Sequence, residues 1–286
     1  MTTEEMTLRK GNSSRPNNKS GGQFSVWLCL CGGDILLRRE GAENAFSLPV
    51  GEEPPLALHP WNVVTALSPL SLGRGAAGEA KVVRLDKPVV GIEGLEMMNL
   101  RASFDVLSEE EYNLAGKAAE LIYWDQNSKF CGCCGAPMKF ETEISKRCIN
   151  CGKELWPQLA TAVIVRVTRN NSEEVLLVHA NNFRRPYYGL VAGFVETGET
   201  LEEAVQREVR EETGIEISDI RYFGSQPWPY PCGLMVGFTA NYASGEIQLQ
   251  RSELSKGGWF SRDQMPPIPG KASIARRLID DWIEQD

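Results

Sequence analysis

The chain has 286 residues, 42% of them hydrophobic, and a formal net charge of -8 at pH 7. That length and apolar content suit a globular protein of two domains with a sizeable core, and the acidity argues against a broad nucleic-acid-binding surface. No apolar run reaches membrane-spanning length, and the opening MTTEEMTLRKGNSSRPNNKSGG lacks the apolar stretch of a signal peptide, so a cytoplasmic location with no membrane partner is expected.

Residues 1–22 are rich in Ser, Asn, Thr and Gly and are expected to form a disordered tail. FSVWLCLC and DILLRR flank Gly32-Gly33, which predicts a hairpin with Cys29 and Cys31 as small buried thiols on its first strand. The runs VVRL, VVGI, MMNL and FDVL alternate with Pro and Gly up to Leu107 and read as a small β-rich domain. Ser108 with Glu111 is a capping box, and Tyr112, Ala115, Ala119 and Ile122 continue a helical stripe to about Trp124.

Next come Cys131-x-x-Cys134 and, after 13 intervening residues, Cys148-x-x-Cys151. In a reducing compartment this spacing reads as a tetrahedral thiolate site, a zinc ribbon, with Cys133 as the spare thiol. The ribbon lacks a dense run of Lys and Arg, which favours a structural staple over a nucleic-acid reader. TAVIVRV and VLLVHA read as central strands, ISDIRYFGS and LMVGFTANYA as later ones, and Ile274, Leu278, Ile279 and Trp282 as one face of a terminal helix. His59, in a Pro-flanked loop, and His179, after a strand, read as ordinary polar residues.

From Gly193 to Ile215, seven glutamates against Arg207 and Arg210 leave a charge of -5. Leu201, Ala204, Val205 and Val209 recur at helical spacing, after a turn at Val195–Thr200 and before a stop at Gly214. Glu208, Glu211 and Glu212 then stand at i, i+3 and i+4, three carboxylates on one face. A hard divalent cation, Mg2+ or Mn2+, relieves their repulsion and serves phosphate chemistry; the plainer alternative is a solvated acidic face. Gly193, Glu199 and the run from Arg207 to Ile215 resemble the Nudix box at every defined position.

Past that helix, Ser225-Gln226-Pro227-Trp228-Pro229-Tyr230-Pro231 puts prolines on both sides of an indole and suits stacking on a flat ring. This array is similar to the SQPWPFP signature of the NADH pyrophosphatase subfamily of Nudix hydrolases, with Tyr230 for Phe and Gly233 for Ser. LSEEEYNLAGKAAELIYW leading into FCGCCG, and the closing GWFSRDQMP and SIARRLIDDWI, extend the likeness over about residues 24–286.

The resemblance implies an α+β chain: a disordered tail over 1–22, a β-rich domain and linker helix over 23–125, a zinc ribbon over 126–156, and a Nudix α/β/α sandwich with mixed sheet over 157–286. It implies a homodimer that hydrolyses NADH and NAD to nicotinamide mononucleotide and AMP and, in some members, removes NAD caps from RNA. By position, Glu208, Glu211, Glu212 and the Ala192 carbonyl correspond to metal ligands, and Glu253 to a further metal-associated glutamate. Arg207 corresponds to an orienting residue. Phe194 and Trp156 correspond to ring-stacking residues and Ala275 to an adenine contact. Glu143 and the array Gln226, Pro227, Trp228, Pro229, Tyr230, Pro231, Cys232, Gly233 correspond to substrate contacts. Hydrolysis of another nucleoside diphosphate such as ADP-ribose, or a catalytically silent nucleotide-binding module, are the alternatives.

Overall fold

The computed structural model describes residues 24–41, 45–55, 62–68, 78–183 and 186–284; the segment 1–22 and His59 lie outside the described residues. Strands β1 (Ser25–Cys31) and β2 (Asp34–Arg39) form the expected hairpin, and Gly32 supplies the left-handed residue of its turn, φ 59°. The hairpin belongs to a seven-stranded sheet with β3 (Phe46–Ser47), β4 (Val50–Gly51), β5 (Asn62–Leu67), β6 (Glu79–Arg84) and β7 (Leu95–Asn99). Within it β1 and β6 run parallel. Cys29 is fully buried, and burial pushes its thiol up to about 12, which leaves it inert.

VVRL and MMNL contribute to strands, but residues 89–92 form a loop and residues 104–107 enter a 3-10 turn at Ala102–Asp105. Pro88 lacks a ladder donor, and Gly91 and Gly94 adopt positive φ, so the chain turns where the apolar pattern alone suggests extension.

Helix α1 (Glu109–Asn127) begins at the capping box: Ser108 Oγ accepts from the Glu111 amide, and the Glu111 carboxylate accepts from the Ser108 amide. Tyr112, Ala115, Ala118, Leu121 and Trp124 pack onto Leu28, Leu30, Ile35 and Leu37 of the sheet. Each fully buried large apolar side chain of this kind contributes about 1.5–3 kcal/mol. The ribbon follows as an antiparallel sheet of β8 (Met138–Thr142), β9 (Ser145–Cys148) and β10 (Glu154–Leu155).

The last sheet contains β11 (Ala160–Arg169), β12 (Glu174–Ala180) and β13 (Val191–Phe194), then β14 (Glu216–Trp228), β15 (Gly233–Ser244) and β16 (Leu254–Ser261). Its order is β14-β15-β11-β12-β16, with β13 paired to β11. β11 and β15 are parallel and the other pairs antiparallel, which is the mixed sheet expected. Alternation along β11 sends Val163 and Val165 to helix α2 (Leu201–Thr213) and Ile164 to helix α3 (Ile274–Glu284). Helices on opposite faces make the α/β/α sandwich.

Candidate active site and metal centre

Helix α2 is fixed at both ends by its own sequence. Thr200 and Glu203 form a capping box, and Gly214 closes the helix in the left-handed conformation, φ 74°. The irregular segment after β15 supplies further closure: the amides of Gln248 and Gln250 donate to the carbonyls of Thr213 and Glu212 at 2.8 and 2.9 Å. Three residues later the same segment delivers Glu253, whose carbonyl accepts from the Asn181 amide at 2.7 Å.

Glu208 and Glu212, one turn apart, are 9% and 5% exposed, while Glu211 points outward. Arg207 lies among the carboxylates. Its Nε and Nη2 donate to Glu199 at 2.5 and 3.0 Å, and its Nη1 donates to Glu208 at 2.8 Å and Glu211 at 3.1 Å. Nη2 also donates to the Phe194 carbonyl at 2.9 Å, tying helix to β13. This network holds the Glu199 carboxyl below its usual range and the Arg207 guanidinium firmly charged.

Burial raises Glu208, against the pull of Arg207. Glu212 is pushed up to about 8, first by burial and then by the negative charge of Glu208, Glu253 and Glu211. The carboxylates that act on Glu212 outnumber the single guanidinium of Arg207, which is spent on Glu199, Glu208 and Glu211. Hard oxygen donors with accumulated negative charge fit a divalent cation. Ala192 precedes Gly193 on β13 and packs toward α3, beside Ile164 and Met235.

The aromatic array takes a different position. β14 runs on through Gln226-Pro227-Trp228 as an edge strand, where a proline is tolerated. Tyr230 reaches the N-terminal domain, its hydroxyl 2.7 Å from that of Tyr112, and a Cβ on Gly116 would stand 3.0 Å from Pro229. The Arg101 guanidinium lies 5.2 Å from the Trp228 ring centroid and 4.2 Å from that of Tyr230. Beside this stack is a cavity of about 550 Å³ whose lining includes Arg101, Asn99, Tyr123, Tyr230 and Pro231. No local motif marks Arg101, and only its place after β7 brings it there.

Gln226 uses its amide on helix α3, accepting from the Ile274 amide at 2.6 Å and donating to the Ala272 carbonyl at 2.9 Å. Ala275 is half-buried in the first turn of that helix. The Cys232 carbonyl accepts from the Ala160 amide, and a Cβ on Gly233 would stand 3.0 Å from the Trp228 carbonyl oxygen. Phe194 and Trp156 are 65% and 49% exposed. Sheet register puts Phe194, Ala162, Met235 and Gln226 in one row. Three strand spacings, roughly 14 Å, thus separate Phe194 from Gln226. Glu143 accepts from the Ser68 amide at 3.1 Å, and its own carbonyl accepts from Thr65 Oγ1 at 2.9 Å, so it joins the ribbon to β5.

In the ribbon the thiols of Cys131, Cys134, Cys148 and Cys151 lie within 4.8 Å of one another, an arrangement that could hold a metal ion. Cys131 and Cys151 are 3.6 Å apart, and Cys134 and Cys148 3.5 Å. Cys133 lies outside the cluster and accepts from Lys153 Nζ. His179 bonds Ser255 Oγ at 2.9 Å among the rings of Phe183 and Tyr188. No helix among the described residues is long and apolar enough to cross a membrane.

Residues 157–282 match the NUDIX domain family, and residues 25–124 match the family described as NADH pyrophosphatase-like rudimentary NUDIX domain. The chain is 42% identical over 203 residues to the NAD-capped RNA hydrolase NudC of Pseudomonas aeruginosa, covering 71% of this chain and 72% of that protein. It is 45% identical over 183 residues to the NAD-capped RNA hydrolase NudC of Haemophilus influenzae, covering 62% and 69%. A solved NUDIX hydrolase from Nitrosomonas europaea is similar at a TM-score of 0.42 and 23% identity, over 55% of this chain and 90% of that one. The chain therefore belongs to the Nudix hydrolases, in the branch that joins a rudimentary Nudix-like domain to a complete one.

Proposed function

We propose that this protein is a metal-dependent diphosphatase that cleaves NADH and NAD to nicotinamide mononucleotide and AMP, and that it removes NAD caps from RNA as its NAD-capped RNA hydrolase relatives are named for doing. The observation that carries the reading is the buried pair Glu208 and Glu212, with Glu211 and Glu253 adding like charge to it. These carboxylates would hold Mg2+ or Mn2+, which would neutralise the diphosphate and activate the attacking water. Arg207 orients Glu208 and Glu211, and one of Glu211, Glu212 and Glu253 is read as the base for the attacking water. The Ala192 carbonyl is read as an additional ligand.

Phe194 and Trp156 offer exposed rings, and the row that separates Phe194 from the Gln226–Gly233 array by roughly 14 Å supports a ligand with two ends to hold. Ala275 and Glu143 are read as flanking contacts. Zinc is the ion we assign to the ribbon: Zn–S bonds of about 2.3 Å in a tetrahedron place sulfurs about 3.8 Å apart, close to the spacings found. A homodimer belongs to the same reading, as the family resemblance implies. In the same reading the domains span 23–125, 126–156 and 157–286.

Incubation of the zinc-loaded protein with NADH and Mn2+, followed by product separation, tests the reading. AMP and reduced nicotinamide mononucleotide are the expected products. Turnover of ADP-ribose with NADH left intact would overturn the substrate assignment.

A further inference from the structure

Lys146 is an ammonium buried to 2% exposure in a ribbon that is otherwise mostly surface. Burying an unpaired charge is costly, so its partners are informative. Nζ donates to Asp125 Oδ1 at 2.7 Å, to the Asp125 carbonyl at 3.1 Å, to the Ser128 carbonyl at 3.3 Å and to Ser128 Oγ at 3.0 Å. The rings of Trp124 and Phe140 each lie 5.0 Å from it. These groups gather at the C-terminal end of α1, where helix carbonyls carry partial negative charge that favours a cation. Lys146 is therefore the bolt between the ribbon and the N-terminal domain.

Its strand carries the consequence onward. In the β9/β10 ladder Lys146 pairs with Leu155, and the next residue is Trp156. The Trp156 ring is half exposed and belongs to none of the apolar clusters among the described residues. Its orientation is thus inherited from the backbone of β10, which is held by β9, which Lys146 pins.

We propose that Lys146 is a positioning residue for substrate: it locks the ribbon to the end of α1 and thereby sets the plane in which Trp156 meets a substrate ring. The proposal rests on the reading of Trp156 as a ring-stacking residue. The ribbon is then a strut between domains rather than only a staple within itself.

The test uses the full zinc-loaded chain labelled with 5-fluorotryptophan, the Trp156 resonance being assigned by its loss in Trp156→Phe. Lys146→Met keeps the side-chain length and removes the ammonium. It is expected to retain zinc, hold kcat within about twofold, raise KM for NADH about five- to tenfold, and broaden or shift the Trp156 resonance. Trp156→Ala should raise KM by a similar factor, and the double variant no further. A native KM and an unmoved resonance in Lys146→Met, with KM raised in Trp156→Ala, overturn the strut. An unchanged KM in Trp156→Ala overturns the stacking reading instead, and the fluorine resonance then decides the strut alone. Should Lys146→Met lose zinc, Asp125→Asn removes the same ion pair from the helix side and is read identically.

Discussion

Gly193 lies against the Glu208 carboxylate so closely that a Cβ built on it would fall inside that group. The first residue of the box is thus a seat for a later one on α2. Gly193→Ala should force the Glu208 carboxylate aside at little cost in stability, since the end of a flexible side chain can swing away, and lower kcat about a hundredfold or more through misplacement. Denaturant melts alongside NADH turnover check both, and near-native turnover would contradict the seating argument.

The proton on Glu212 gives a pH dependence of definite sign. In the unfolded chain a glutamate titrates near about 4.3, whereas here the group is pushed up to about 8. The folded state holds the proton through that window, so this group's stabilisation is complete at low pH and is lost as pH rises toward about 8. Without added Mn2+ the melting temperature should fall over that interval, and Glu212→Gln should flatten the fall. The cation must displace the same proton, so Mn2+ affinity should climb by up to about tenfold per pH unit until about pH 8. Calorimetric titrations in buffers of different ionisation heat count the proton released.

Arg101→Ala removes the cation lying over Trp228 and Tyr230. KM for NADH should rise about two- to tenfold with kcat little changed, since the carboxylates are untouched. A loss of kcat at constant KM would show that the clamp acts on the chemistry instead.

Cys148→Ser should abolish stoichiometric zinc and melt the ribbon, because thiolate ligation supplies folding energy in so small a unit. Cys133→Ser should leave zinc content and the melting curve unchanged. Zinc released by thiol modification and read with a zinc-sensitive dye, together with thermal melts, checks both.

Much of the fold was legible because its signals are local. The Ser108/Glu111 and Thr200/Glu203 boxes, the Gly32-Gly33 turn and the paired cysteine knuckles all sit within a few residues of what they determine. The box glutamates were legible for the same reason, as neighbours on one helix face. What remained hidden is nonlocal. Arg101 meets Trp228 across more than a hundred residues of sequence, and the burial of Lys146 depends on where the end of α1 lies. The array places Gln226 among the substrate contacts, whereas its amide is engaged by a helix that begins at Ile274. Residues 89–92 misled in the other direction, since apolar content alone does not distinguish a strand from a loop broken by positive-φ glycines.

The segment that closes α2 touches the helix end through main-chain amides, those of Gln248 and Gln250, before it presents Glu253. A peptide amide is the same whatever side chain it bears. The identities of these residues are therefore free to vary, Gln248 within the limit set by its Cβ lying near Gly214, while their number is not. One residue added or removed between Gln248 and Glu253 would slip the hydrogen bonds out of step and carry that carboxylate away from the box. Here the active site is protected by the length of a chain rather than by its letters.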